Sequence, residues 1–426
     1  MLVNIQKLIY GGDGLARLPA DEHGPGKAVF VPFVLEGETV EASIVEEKRG
    51  FVRARTGRIV HASAQRIEPQ CPYFHKCGGC QYQHAKYEHQ LEIKTAILKE
   101  NLRRIAKLEI DEVNVVPSPQ WNYRNRTRLK VQSRPEFALG YYRFNSHELL
   151  PVEQCPISSP LINEAIRALW DAGRRGEIAS EIEEIEAFTD AADSGLLVEC
   201  YCTSGFDRSK AAMAAEVIRA AIPQAVGVVM FESRSAQPAQ LAHAGSRTIE
   251  YASWGGCYRV SAGAFFQANR FLIDELTSLV TGSCAGENAL DLYAGVGLFT
   301  VPLARSFAQV IAVESSPTSF ADLQYNSPPN VKAVQARTEH SLERTAGERK
   351  LDLVVIDPPR GGLGEIVVRR LAALNAPAVI YVSCDPATLA RDLGGLCASG
   401  FRIERAHMVD LFPQTYHLES VIRLAR

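Results

Sequence analysis

Four short apolar runs in the second half of the chain constrain the fold more than any other feature. They occupy residues 289–293, 310–314, 353–357 and 379–383, and stretches with helical spacing separate them. Near-continuous apolar strands that alternate with helices are typical of a parallel, doubly wound sheet, because helices cover both of its faces. Ligands of such sheets bind beyond the carboxyl ends of the strands. The sequence therefore predicts an α/β, Rossmann-like domain with a ligand site at that edge.

A turn that contains Gly295 and Gly297 follows the first run. Glycine permits a tight turn and a close approach to a ligand, but Thr300 stands where a dinucleotide fingerprint would have a third glycine or alanine. The second run ends in Glu314, a residue type that can accept hydrogen bonds from both hydroxyls of an adenosine ribose. Together with Asp291, this favours S-adenosylmethionine over a nicotinamide cofactor. Each carboxylate alone is equally compatible with a helix N-cap.

A cysteine follows the last of the four runs. Cys384 precedes Asp385-Pro386, a typical helix start, and a helix amino terminus favours a thiolate. Taken alone, a cysteine at the end of a strand is more often a core residue than a nucleophile. Near the carboxyl terminus, Glu419 and His417 are two candidates for a general base, and an ordinary surface carboxylate is the alternative for Glu419.

A second set of cysteines comprises Cys71, Cys77, Cys80 and the distant Cys155. With ten cysteines and no secretion signal in the sequence, metal binding or catalysis is favoured over a disulfide framework. Four thiolates bind either a tetrahedral zinc ion or an iron–sulfur cluster. Their spacing does not decide between the two, but proline follows both Cys71 and Cys155, which favours the cluster.

The amino-terminal segment, residues 1–62, consists of short β-rich runs punctuated by glycine. This pattern predicts a small barrel of the OB type, a fold that often binds single-stranded nucleic acid. Basic residues crowd the end of the segment, where they either contact a nucleic acid or form a solvated strand face: Lys48, Arg49, Arg53, Arg55 and Arg58.

A second basic stripe lies further along the chain, beside Trp121 and Tyr123. The period of two in a strand would place its members on one face: Arg124, Arg126, Arg128 and Lys130. Such a stripe either follows phosphates or forms an exposed, salt-bridged strand face. The net charge of -3 means that any positive surface for a nucleic acid is local.

Taken together, several motifs in one order resemble the RNA 5-methyluridine methyltransferase family, over essentially the whole chain. Besides the four cysteines, the motifs are Tyr123-Arg124-Asn125-Arg126, Phe266-Gln267-Ala268-Asn269, Asp291-Leu292-Tyr293-Ala294-Gly295-Val296-Gly297, Asp357-Pro358-Pro359-Arg360-Gly361-Gly362, Ser383-Cys384-Asp385-Pro386 and His417-Leu418-Glu419. One departure is Leu298, which stands where some members carry asparagine.

The resemblance implies roles for individual residues. Cys384 is the implied nucleophile and Glu419 the implied general base. The implied contacts to S-adenosylmethionine and the target base come from Gln267, Tyr293, Gly295, Gly297, Glu314 and Asp357. The resemblance further implies that Cys71, Cys77, Cys80 and Cys155 bind a [4Fe–4S] cluster, with a role in folding or RNA docking.

A chain of 426 residues suggests roughly three domains. We expect a TRAM or OB-like barrel in 1–62, a central α/β domain with the iron–sulfur loop in 63–280, and a class I methyltransferase domain in 281–426. By resemblance, a helix at 85–108 packs on the last of these, so that the central domain is discontinuous. We expect a monomeric, cytoplasmic enzyme of EC class 2.1.1 without a membrane segment.

The TRAM-like segment is typical of the ribosomal-RNA branch of the family and predicts 23S rRNA as the substrate, with a flipped uridine in a single-stranded or loop region. Three alternatives remain open at this stage. They are methylation of uridine in tRNA, methylation of cytosine at C5 in RNA, and a non-catalytic iron–sulfur protein that binds RNA.

Overall fold

Six short strands near the amino terminus form one sheet, in the order β1-β5-β6-β4-β3-β2. The computed structural model describes residues 1–19, 26–233, 239–345 and 350–426. Alternate side chains such as Val29, Val31 and Val52 fill a small apolar core. The strands are β1 Leu2–Asn4, β2 Lys7–Leu8, β3 Asp13–Arg17, β4 Ala28–Pro32, β5 Thr39–Glu47 and β6 Phe51–His61.

A helix, α1, spans Tyr87–Asn101 and continues as a π-helical turn, Leu102–Ala106. It lies within the helix predicted over 85–108. Its buried face packs toward the carboxyl-terminal half of the chain, where Leu98 and Leu102 join the same core as Leu393. A short strand, β7 Asn114–Val116, follows.

The central part of the chain forms a seven-stranded sheet in the order β10-β9-β8-β11-β12-β13-β14. One face of it packs on two helices, and Phe188 and Leu197 on the other face join the core of the carboxyl-terminal part. The elements are β8 Arg126–Gln132, β9 Ala138–Tyr142, β10 Leu149–Pro151, α2 Pro160–Arg174, β11 Ile182–Thr189, β12 Leu196–Cys202, α3 Arg208–Ala221, β13 Ala225–Glu232 and β14 Gln240–Gly245.

The basic stripe on β8 is paired with acidic residues of the neighbouring strand β11. Arg128 Nε lies 2.6 Å from a carboxylate oxygen of Glu186, and Lys130 pairs with Glu184. Arg126 also contacts Glu186, at 3.2 Å. Of the two alternatives for this stripe, the salt-bridged strand face therefore describes these three residues.

The carboxyl-terminal part confirms the predicted doubly wound sheet, preceded by a hairpin. Its elements are β15 Thr248–Ser253, β16 Gly256–Ser261, α4 Ile273–Thr281, β17 Gly286–Leu292, α5 Thr300–Ser306, β18 Phe307–Glu314, α6 Pro317–Asn326, β19 Val331–Gln335, α7 Thr338–Thr345, β20 Leu353–Ile356, α8 Gly364–Ala373, β21 Ala378–Ser383, α9 Pro386–Ala398, β22 Arg402–Val409 and β23 Glu419–Ala425.

The large sheet has the strand order β19-β18-β17-β20-β21-β23-β22-β7. Its last member, β7, pairs with β22 in parallel, with Val115 opposite Met408. The sheet is therefore assembled from two chain segments, and the strands of the central sheet lie between them in sequence. The domain boundaries at residues 62 and 280 stay predictions. In the described ranges, no helix has both the length and the apolar character needed to cross a membrane.

Candidate active site

Five neighbouring strands bring the predicted site residues to one edge of the large sheet. β18, β17, β20 and β21 run parallel and end at this edge, whereas β23 runs antiparallel to β21 and begins there. The edge therefore carries residues from five separate parts of the sequence. In spatial order they are Glu314, Tyr293, Asp357, Cys384 and Glu419.

Strand register places the candidate nucleophile beside the candidate base. Ser383 on β21 is paired with Ser420 on β23, and the Ser420 hydroxyl donates a hydrogen bond to the Ser383 carbonyl at 3.1 Å. Cys384 directly follows the end of β21 and Glu419 is the first residue of β23, so the two residues adjoin this pair. Cys384 is half-buried and Glu419 is 4% exposed.

The electrostatic environment keeps the Cys384 thiol protonated. Burial raises its pKa to about 12, the charges of Glu419 and Asp357 add to the shift, and Arg360 opposes it. The helix α9 does not compensate, because the Asp385 carboxylate already accepts hydrogen bonds from the first free N–H groups of that helix. The prediction that the helix amino terminus favours a thiolate is therefore wrong for the protein without ligands.

Two buried carboxyl groups lie deeper in the site. Burial raises the pKa of Asp357 to about 7, with a further contribution from the charge of Asp291. Burial likewise raises the pKa of Asp291 to about 7. The Thr300 hydroxyl donates a hydrogen bond to Asp291. Thr300, which replaces the third glycine of a dinucleotide fingerprint, therefore supports a buried carboxyl group. Gln267, from the loop before α4, donates to Asp357 at 3.5 Å.

The two candidate bases differ in their proton affinity. Burial raises the pKa of Glu419 well above its ordinary value, and Asp357 contributes to the same shift. Burial and the nearby Arg360 guanidinium lower the pKa of His417 to about 3. His417 is therefore neutral at neutral pH, whereas burial favours the protonated form of Glu419, which must ionise before it can act as a base.

The glycine turn after β17 is fixed by Glu314. One carboxylate oxygen accepts a hydrogen bond from the Gly295 N–H at 2.9 Å, and the other accepts from the Ser316 N–H at 2.6 Å. Gly295 has φ +58°, and a Cβ atom placed there would meet nothing within 4 Å, so the turn faces open space.

Two neighbours of the turn shape it from inside. Gly297 has φ +100°, and a Cβ there would lie 3.1 Å from a methyl carbon of Leu323. Leu298 is buried in the core, and its backbone carbonyl accepts a hydrogen bond from the Tyr258 hydroxyl at 3.1 Å. The Leu298 side chain thus packs inward, away from any polar contact with a ligand.

The four cysteines line a single cavity. Cys71, Cys77, Cys80 and Cys155 surround it together with Gln83, Arg124 and Tyr141. Burial raises the pKa of the first three thiols, and the charge of Cys155 adds to each shift. The described residues nevertheless include no group of three or more Cys, His, Asp or Glu placed to bind one metal ion. The iron–sulfur cluster stays a prediction.

Sequence reasoning missed a buried ion pair that supports the site. Lys94 on α1 and Asp410 after β22 are both fully buried, with a 2.5 Å contact, and Lys94 also donates to the Phe412 carbonyl at 2.9 Å. This pair fixes the segment that leads into Glu419. The sequence contains one signal for this pair: Lys94 follows Ile93 on a largely apolar helix face, and a lysine there needs a buried partner.

Comparisons with known proteins give matches over nearly the whole chain. A family model described as tRNA (uracil-5-)-methyltransferase matches residues 86–426, and a TRAM-domain model matches residues 1–56. An RNA methyltransferase of Aquifex aeolicus is 33% identical over 99% of this chain and 97% of its own. The 23S rRNA (uracil(1939)-C(5))-methyltransferase RlmD of Erwinia tasmaniensis is 30% identical over 100% of this chain and 96% of its own.

The fold also resembles a solved structure over its whole length. The tRNA (uracil-54, C5)-methyltransferase of Pyrococcus abyssi, in complex with S-adenosyl-L-homocysteine, superposes with a TM-score of 0.77 at 24% identity and covers 100% of both chains. At this identity the likeness concerns the fold alone.

Proposed function

The chain belongs to the family of S-adenosylmethionine-dependent RNA uracil-C5 methyltransferases, and within that family we propose that it methylates a uridine of 23S rRNA with Cys384 as nucleophile and Glu419 as general base. The observation that carries the mechanism is that these two residues adjoin the paired residues Ser383 and Ser420, at the end of β21 and the start of β23. The substrate class is favoured by the TRAM domain and by the RlmD relatives, which are similar over essentially the full length.

A thiol is needed because C5 of uracil is a poor nucleophile. The Cys384 thiol passes its proton to water, the sulfur adds to C6, and the C5=C6 electron pair moves onto C5 and O4 as an enolate. S-adenosylmethionine supplies the electrophilic methyl group that C5 takes. Glu419 then removes the proton from C5, and the returning electron pair re-forms C5=C6 and expels the Cys384 thiolate.

The other site residues orient the reactants. The Glu314 carboxylate, held by two backbone N–H groups, is available to the ribose hydroxyls of the cofactor. Gln267 and Asp357 contact each other, and Asp357 follows β20, which lies between the strand of the glycine turn and the strand before Cys384. A nucleobase that enters there has a hydrogen-bond donor and an acceptor beside it.

A groove between the amino-terminal barrel and the cysteine loop, residues 71–80, supports the binding of single-stranded RNA. Arg55 and Lys76 provide positive charge in it, and Phe30 and Phe144 provide aromatic faces. It continues toward Tyr416 near the site. Positive charge tracks phosphates while aromatic rings stack bases, which suits an unpaired strand whose uridine is flipped into the pocket.

We further propose that the four cysteines hold a [4Fe–4S] cluster. The convergence of four free thiols on one cavity supports this. Methyl transfer requires no electron, so the cluster would act by holding the loop of Cys71–Cys80 against the central sheet. The proposed enzyme is a cytoplasmic monomer.

Nucleoside mass spectrometry tests the proposal. A host that lacks 5-methyluridine expresses either the native protein or Cys384→Ala, and its rRNA and tRNA are separated and digested. We expect 5-methyluridine in the large-subunit rRNA with the native protein alone. Its appearance in tRNA instead would reassign the substrate, and 5-methylcytidine would reassign the reaction. The absence of any new methylated base would favour a non-catalytic RNA-binding protein.

A further inference from the structure

A tyrosine of the amino-terminal barrel contacts the backbone of the candidate nucleophile. Tyr10 lies in the turn between β2 and β3, and its hydroxyl donates a hydrogen bond to the carbonyl oxygen of Cys384 at 3.0 Å. We propose that Tyr10 is a positioning residue, through which the barrel sets the place of Cys384 relative to the target uridine. The inference rests on the proposed role of Cys384 as nucleophile.

The turn that carries Tyr10 is closely packed. Gly11 and Gly12 have φ of +107° and +94°, which glycine adopts without strain. A Cβ at Gly12 would lie 2.9 Å from the Cβ and Cγ atoms of Gln81, so the turn touches the cysteine loop. The Tyr10 ring meets that of Tyr416 edge to face, with centroids 5.3 Å apart. The position of the hydroxyl is thus determined from two sides.

The same contacts extend to the segment that precedes Glu419. Gln81 donates its backbone N–H to the Gln414 carbonyl at 3.0 Å and accepts from the Tyr416 N–H at 3.3 Å. Leu8 and Leu35 of the barrel share one buried cluster with Leu418. The barrel therefore packs against the segment that leads into Glu419, and it donates a hydrogen bond to the backbone of Cys384.

The Tyr10 hydroxyl is suited to this task across the working pH range. Burial and the neighbouring Asp385 raise the pKa of Tyr10 far above its ordinary value, so the hydroxyl keeps its proton and remains a donor. A backbone carbonyl at the end of a strand has no partner in the sheet ladder, and this hydrogen bond satisfies it. A small displacement of a reacting atom lowers the rate of an oriented attack, even when substrate binding is unchanged.

The test compares Tyr10→Phe with the native protein in single-turnover methyl transfer to rRNA from a host that lacks 5-methyluridine. The phenylalanine keeps the ring and its contact with Tyr416 but loses the hydrogen bond. We expect the rate at saturating RNA to fall about three- to tenfold, the effect of one net hydrogen bond, while the RNA dissociation constant stays unchanged. Tyr325→Phe, on the exposed surface of α6, is the matched control and should behave as native.

Two results would overturn the inference. One is a native rate with Tyr10→Phe, and the other is weaker RNA binding at a native rate, which would make Tyr10 an RNA contact instead. Rates are compared at a temperature at which urea titration shows every variant to be fully folded. An inactive native protein would instead defeat the proposed function, so the two failures are distinguishable.

Discussion

Cys384 and Glu419 adjoin the paired residues Ser383 and Ser420, with Cys384 directly after the end of β21 and Glu419 at the start of β23. This arrangement exists because β23 is inserted antiparallel between β21 and β22 in a sheet whose other ligand-bearing strands are parallel. Thiol addition and proton removal are thus assigned to neighbouring backbone positions.

Glu419→Gln should separate the two halves of the reaction. The amide cannot take the C5 proton, so we expect turnover to fall by at least about a hundredfold while the protein remains covalently attached to methylated RNA. Denaturing gel electrophoresis followed by mass spectrometry of the Cys384 peptide detects the adduct. His417→Asn should stay within about tenfold of native turnover. An adduct-free Glu419→Gln variant with near-native turnover would remove Glu419 from the mechanism.

Cys384 should react slowly with an alkylating agent in the protein without ligands. Its pKa of about 12 means that little thiolate exists at pH 8, so we expect alkylation at least about tenfold slower than for a free cysteine, with a rise as pH increases toward the pKa. Asp357→Asn removes a nearby negative charge, lowers the pKa of the thiol and accelerates the reaction. Peptide mass spectrometry gives the rate at Cys384 alone. Equal rates in the native and Asp357→Asn proteins would contradict the assigned electrostatics.

Lys94→Met should destabilise the protein strongly. The substitution leaves the Asp410 carboxylate buried without its partner, and we expect a loss of about 3 to 5 kcal/mol in the free energy of unfolding. Urea denaturation measures this loss. Lys86→Met, at the exposed start of the same helix, is the control and should change stability by less than about 0.5 kcal/mol. A mild effect of Lys94→Met would mean that Asp410 reaches water.

Glu314→Gln should weaken cofactor binding selectively. The amide retains one acceptor but lacks the charge that strengthens hydrogen bonds to the ribose hydroxyls, so we expect the dissociation constant of S-adenosylmethionine to rise by about tenfold or more. Isothermal titration calorimetry on the purified protein measures it. Glu287→Gln, exposed at the opposite end of the sheet, is the control. Unchanged affinity in Glu314→Gln would place the ribose elsewhere.

Cys77→Ser and Cys155→Ser should each lose bound iron if the four thiols hold a cluster. We expect the visible absorbance and the iron content of anaerobically purified protein to fall, together with its thermal stability. Cys257→Ser, an exposed cysteine outside the quartet, should retain both. Iron-free native protein with stoichiometric zinc would identify a different metal, and native protein without any metal would reject the site.

The sequence predicts the local chemistry of this protein better than its long-range contacts. The apolar runs and the residues at their ends identify the sheet edge, because strand periodicity and terminal position are local properties. The pairing of Arg128 with Glu186, the contact of Tyr10 with Cys384 and the burial of Lys94 against Asp410 depend on partners that are remote in sequence. The error about the Cys384 thiolate has the same origin, since burial and the charges of Glu419 and Asp357, which are set by the tertiary fold, raise the pKa of the thiol.

The position of β7 and α1 has a consequence for biosynthesis. Lys94 and Asp410 are 316 residues apart in the chain, and β7 pairs with a strand close to the carboxyl terminus. During translation, α1 and β7 leave the ribosome long before their partners are synthesised. Their apolar faces therefore remain unburied until the final strands have been made. If Glu419 is the base, as proposed, the enzyme becomes active only after the last strand of the sheet, β23, has been synthesised and paired.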